Sequence, residues 1–281
     1  MCYYNGQKVA KNELIRLRNL EKLVANYDFL NSDLLIGFDY NVKAVLKPVE
    51  GKEDFDIVKM EWGFIPSYLK TREDVFRMRN GYKDEAGKFR PGIITLNAVC
   101  EELLEPRKIY RNAALKRRCL ILSTGFYEWR HIHRINKRTG QPNKTAEKYP
   151  YFISIKNRNY FFMAGIWQPW TDKETGEQVD SCAVVTTKAN RLMEQIHNSK
   201  KRMPAILNED LAWEWMFGKP DEKRLLEIAA FQYPAEEMQA WTIKKDFLNS
   251  LCPADPVVYP ELPPLEGEEG SAPVVEQASL F

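Results

Sequence analysis

Cysteine and histidine are scarce in this chain, and their spread excludes two common architectures. The five cysteines (Cys2, Cys100, Cys119, Cys182 and Cys252) are odd in number, far apart and without a C-x-x-C pair, which argues against a disulfide framework or a zinc site. An all-histidine metal centre would need His131, His133 and His197 together, and the first two belong to a polar loop. No metal and no cofactor is expected. Long apolar runs are missing as well. None approaches bilayer length, and the chain does not open on a basic, apolar and small-residue signal pattern, so a cytoplasmic monomer without membrane association is expected. Basic residues vanish from residues 253–281, which hold six acids and no Lys or Arg; residues 1–252 then carry 41 basic against 33 acidic residues, a net of +8. A basic body suits a polyanion such as nucleic acid.

What is present is a globular composition: 281 residues, 44% of them hydrophobic, can close a proper core. Asn12 ahead of Leu14, Leu17, Leu20, Leu23 and Val24 predicts a capped helix. Residues 34–49 predict one or two short strands, and residues 55–62 another that stops at Gly63 and Pro66. The basic stretch 67–90 reads as a short helix and loop, and residues 93–97 as a buried strand with Asn97 at its end. A helix over 110–118 precedes the apolar strand 119–122, which turns at Ser123-Thr124-Gly125 into Phe126-Tyr127-Glu128-Trp129. Residues 151–155 and 160–167 read as a hairpin, 182–185 as a central strand, and Thr186-Thr187 as the cap of a helix ending near His197. Helices over 209–217 and from Pro220, and a closing strand over 239–244, complete the body. The pattern predicts one α+β domain over residues 1–252, a mixed and mainly antiparallel β-sheet curled into a barrel-like core with peripheral helices. From Pro253 to Phe281 the Pro, Glu, Gly and Ser content predicts a disordered acidic tail.

A small residue behind the initiator normally permits removal of Met1, which would leave Cys2 as a 1,2-aminothiol. The amine titrates at about 7.7–8.0 and the thiol at about 8.5, so both are partly nucleophilic near neutrality. Such a pair suits an aldehyde: the amine condenses to a Schiff base, and the thiolate closes on the imine carbon as a thiazolidine. Glu128 stands among aromatic residues, where burial would raise its pKa into the range of a general acid; strand alternation equally allows it to face solvent. His197 can cap a helix end, or stand beside an anion bound by the basic turn that follows it.

These pieces resemble the SOS-response-associated peptidase family, also called the abasic-site-processing family. The shared signature is Cys2, Trp62-Gly63-Phe64-Ile65-Pro66, Asn97-Ala98 with Glu101, Gly125 to Trp129, and His197 ahead of Arg202-Met203-Pro204, and it spans residues 1–247. The resemblance implies covalent capture of abasic sites in single-stranded DNA by Cys2. Asn97 would orient the nucleophile and bond the sugar, Glu128 would shuttle protons, and His197 would assist at the sugar hydroxyl and phosphate. The chain departs from the family pattern at Tyr3-Tyr4, where Gly-Arg is common, and at Val99, where an arginine often follows Asn-Ala. The implied phosphate contacts then fall to Arg77, Arg79, Lys200, Lys201 and the turn Arg202-Met203-Pro204. Tyr4 and the turn formed by Trp62, Gly63, Phe64 and Pro66 offer surfaces on which bases could stack. Two other readings stand beside this one: a cysteine-type peptidase whose Cys2 attacks an amide, at least to remove Met1, and a non-catalytic single-strand binder. Finally, Gln277-Ala278-Ser279-Leu280-Phe281 resembles the peptide with which bacterial proteins dock on the replication sliding clamp, with Gln277, Leu280 and Phe281 as contacts and the tail as a tether.

Overall fold

The computed structural model describes residues 2–266. The elements begin with β1 (Tyr4–Lys8), β2 (Leu14–Leu17), β3 (Leu20–Leu23), β4 (Asn31–Ile36), β5 (Val42–Pro48), β6 (Phe55–Trp62), α1 (Arg72–Asn80), β7 (Tyr82–Lys83), β8 (Phe89–Arg90) and β9 (Asn97–Val99). They continue with α2 (Arg111–Lys116), β10 (Arg118–Ser123), β11 (Gly125–Ile132), β12 (Glu147–Ile155), β13 (Phe161–Thr171) and β14 (Gln178–Lys188). The last are α3 (Arg191–Ile196), β15 (Arg202–Pro204), β16 (Ile206–Leu207), α4 (Glu209–Phe217), α5 (Glu222–Ala229) and β17 (Met238–Thr242).

The long strand β14 organises the barrel. One edge pairs antiparallel with β13; the other runs parallel to the end of β6 and then to β9. Because β6 pairs with β5, β5 with β10 and β10 with β13, these five strands close on one another, with β9, β15 and β16 attached. A second sheet, antiparallel throughout, runs β17-β12-β11-β1-β4. The α+β class with a barrel-like core is therefore as the sequence predicts. Alternate side chains of the barrel strands enter two apolar clusters, with Val45, Met60, Cys119 and Cys182 in one and Ala44, Leu46, Leu120 and Ala183 in the other. Helices α2, α4 and α5 cover the second cluster with Ala113, Trp215, Leu225 and Ile228.

Polar pegs pin the strand that carries the chain's start. Asn5 donates to Leu122 O and accepts from the Ser123 hydroxyl, while Gln7 bonds Ala44 O, Ala44 N and Leu122 O. All are buried, so each satisfied pair holds β1 in one register across β5 and β10. Among the described residues no helix is long and apolar enough to cross a membrane.

Several local expectations are corrected. Residues 14–23 form the hairpin β2–β3, not a helix: Ile15 and Leu17 are buried on alternate positions, and Arg18, at φ 53°, turns the chain. Asn97 begins its strand instead of ending one, and Ile93 and Ile94 ahead of it are exposed. Residues 151–155 and 160–167 do not pair with each other, because β12 joins the open sheet and β13 the barrel. Thr186 and Thr187 remain in β14, and Asn190 caps α3 instead. The tail expected to be disordered from Pro253 is ordered as far as Glu266: Val257 N bonds Thr242 O, Tyr259 bonds Ile243 O, and Leu265 is buried. Gln277, Leu280 and Phe281 lie outside the described residues.

Candidate functional site

Three chain segments converge near the start of β1. The antiparallel register Asn5↔Phe126 directs the first residues back along β11 toward Glu128. Gly125 permits this strand to lie close to β12, since a Cβ there would fall 2.0 Å from the Phe152 ring. On the other side, α3 ends at His197, whose carbonyl accepts from Lys200 N and Lys201 N; Lys201 takes a left-handed φ of 50° and returns the chain into β15. This tight return puts Arg202 O 2.8 Å from His197 Nδ1. Nδ1–H therefore donates to the carbonyl and leaves Nε2 as the basic nitrogen.

His197 Nε2 lies 3.7 Å from Glu128 Oε2, with both side chains buried. Burial acts on the two groups in opposite directions. It pushes the Glu128 carboxyl from 4.5 up to about 7 and the His197 imidazole from 6.5 down to about 4. Near neutral pH the pair thus holds a carboxyl poised at its midpoint, about half protonated, beside a neutral imidazole, an acid and a base 3.7 Å apart. Glu128 faces inward, which settles the choice left open by strand alternation.

Cys2 is completely buried, and burial pushes its thiol up to about 12; the Lys43 ammonium pulls the other way, and the Glu128 carboxyl adds to the rise. Sγ contacts Tyr4 O at 3.7 Å. Asn97 is 6% exposed, and neither its Oδ1 nor its Nδ2 has a hydrogen-bond partner. A buried carboxamide left wholly unpaired is costly in a finished core and points to a ligand. Its strand is tied to the chain's start through Gly37, whose N–H donates to Tyr3 O and whose added Cβ would meet Leu96 at 2.9 Å.

The expected DNA contacts divide. Arg77, Lys200 and Lys201 are exposed. Trp62 and Phe64 are each 1% exposed, Gly63 and Pro66 are buried beside them, and Trp62 Nε1 donates to Leu96 O; this turn is core and offers no ring to a base. Tyr4 packs edge-on against Trp129 and Phe247. Arg79 is held by Glu61 and Gly63 O, and Arg202 is held two-pronged by Glu101 and by Thr186 O, so neither guanidinium stands ready for a phosphate. Met203 and Pro204 are buried in β15. Sequence reasoning missed Lys43, whose position in an apolar strand was the available signal. It also missed Thr186, whose buried hydroxyl has no partner beside β9. Among the described residues no group of three or more His, Cys, Asp or Glu could hold a metal ion.

Residues 1–250 match the model of the family described as SOS response associated peptidase (SRAP). The abasic site processing protein YoqW of Bacillus subtilis (strain 168) is 30% identical over 207 residues, which cover 73% of this chain and 78% of the relative. The abasic site processing protein HMCES of Pongo abelii is 27% identical over 236 residues, covering 73% of this chain and 59% of that protein. A crystal structure of a protein from Bacteroides thetaiotaomicron superposes with a TM-score of 0.68 at 24% identity, over 92% of this chain and all of the other, and supports the fold.

Proposed function

Because the chain belongs to the SOS response associated peptidase family, we propose that it processes abasic sites in DNA by capturing the ring-opened sugar of a single strand on Cys2. The observation that carries this is the buried Glu128 carboxyl, raised to about 7 and 3.7 Å from a neutral His197, on the strand along which the chain's start runs. Removal of Met1 frees the α-amine of Cys2, which adds to the sugar aldehyde. Glu128 gives its proton to the departing hydroxyl, one water leaves, and the Cys2 sulfur closes on the resulting imine carbon to give a thiazolidine. His197 Nε2 accepts from a sugar hydroxyl, and the unpaired carboxamide of Asn97 supplies a donor and an acceptor to the opened sugar. Arg77, Lys200 and Lys201 grip phosphates through exposed charge. We also propose that the terminal Gln277, Leu280 and Phe281 dock on a replication sliding clamp. A uracil-containing single-stranded oligonucleotide treated with uracil glycosylase tests the reading. The parent should give a heat-stable adduct in a denaturing gel and Cys2→Ala none; DNA-free peptide hydrolysis, or a gel shift with no covalent band, would favour a peptidase or a simple binder.

A further inference from the structure

Lys43 lies on β5 at 2% exposure, and its Nζ has no hydrogen-bond partner. A buried ammonium without an anion is expensive, so the site must give it something in return. Part of the answer is the Trp62 ring, 3.3 Å from Nζ at its centroid and locked in place by its own bond to Leu96 O. Trp62 shares one buried cluster with three thiols, Cys182, Cys2 and Cys119, and these are the groups whose charge would act on Lys43. Carboxylates act only at one remove: Glu128 on Cys2, Glu61 and Asp180 on Cys182, Asp180 also on Cys119. Glu61 is engaged by Arg72 and Arg79, and Asp180 by Lys47. The three thiols are themselves held neutral by burial, so the anion this ammonium can serve is a thiolate formed during reaction. Cys119 and Cys182 lie inside paired barrel strands, whereas Cys2 alone of the three stands at the end of the chain.

We propose that Lys43 is a positioning residue whose ammonium, braced on Trp62, stabilises the thiolate of Cys2 for ring closure; this rests on the capture reading above. The directions of titration agree. Burial lowers Lys43 to about 8 while the thiol charges raise it, and Lys43 in turn lowers the buried Cys2 thiol. In the step served, the thiolate sulfur attacks the protonated imine carbon, a C–S bond forms, and the C=N π pair moves to nitrogen. The two charges cancel there, Lys43 keeps its proton, and no oxidant or reductant enters.

The test needs no DNA, so its failure is separable from failure of the capture reading. Full-length parent, Lys43→Met and Lys43→Arg are alkylated with iodoacetamide across pH 6.5–9.5, Cys2 and the exposed Cys252 being followed separately by peptide mass. Lys43→Met should slow Cys2 at pH 7.5 by about tenfold or more, one pH unit in thiolate midpoint, and leave Cys252 unchanged. Lys43→Arg should restore most of the rate, and Lys43→Met should melt no lower than the parent because it removes an unpaired buried charge. An unchanged Cys2 profile in Lys43→Met, equal profiles in Lys43→Met and Lys43→Arg, or a Lys43→Met protein that fails to fold would each overturn the proposal, the last by showing that the lysine serves the core.

Discussion

Glu128→Gln isolates the cost of the buried carboxyl. In the unfolded chain Glu128 titrates near 4.5, whereas in the fold burial moves it to about 7. The folded state therefore keeps a proton that the unfolded state releases. Its stabilising contribution is complete below pH 4.5 and disappears as pH rises through 7. The interval corresponds to about 3 kcal/mol at 1.36 kcal/mol per pH unit. Glutamine has nothing to titrate, so the variant should match the parent near pH 4.5 and exceed it by about 3 kcal/mol above pH 7.5, a melting difference of about 6–12 °C for a domain of this size. His197 has the opposite slope, since its folded value lies below its unfolded one, and it largely cancels between the two proteins. Paired thermal and urea melts from pH 4.5 to 8.5 measure the difference directly. Adduct formation should fall at the same time, because glutamine cannot give up a proton. A stability difference that stays flat with pH, or grows as pH falls, would refute a carboxyl held protonated by burial.

Asn97→Leu should hold stability or gain about 1–2 kcal/mol, since it removes two unpaired buried polar atoms, yet lose adduct formation; a loss of stability without loss of capture would show that the carboxamide serves the core. Gly125→Ala should lower stability by about 2 kcal/mol or more, because its Cβ would sit 2.0 Å from the Phe152 ring, and urea melts check it. Lys200→Ala and Lys201→Ala should each reduce the slope of log affinity against log salt for a single strand by about 0.7, as for one phosphate contact, whereas Arg79→Met should leave that slope unchanged because its guanidinium is already engaged.

Short-range chemistry was readable from the sequence. Glu128 among aromatics and His197 ahead of a basic turn are each singled out by neighbours within a few positions, and in the structure both side chains are buried and lie 3.7 Å apart. Longer-range relations were not readable. Arg79 and Arg202 read as free cations because their partners Glu61 and Glu101 reach them only in the fold. Trp62 read as a stacking surface because a Trp-Gly turn does not announce that its ring closes over Lys43. Leu14, Leu17, Leu20 and Leu23 fit a helical spacing as well as a hairpin whose turn at Arg18 breaks the count. Lys43 went unremarked, since a charge in a strand ordinarily faces solvent.

The central claim is that an amine and a sulfur on one residue take up the aldehyde together, and intact-mass measurement followed by fragmentation tests it most directly. After reaction with an abasic oligonucleotide, the product should weigh the protein without Met1, plus the oligonucleotide, minus one water, with the nuclease-trimmed remnant on Cys2 and its thiol no longer open to alkylation. Retained Met1 in the adduct, a remnant on a lysine, or a Cys2 thiol that still alkylates would contradict it.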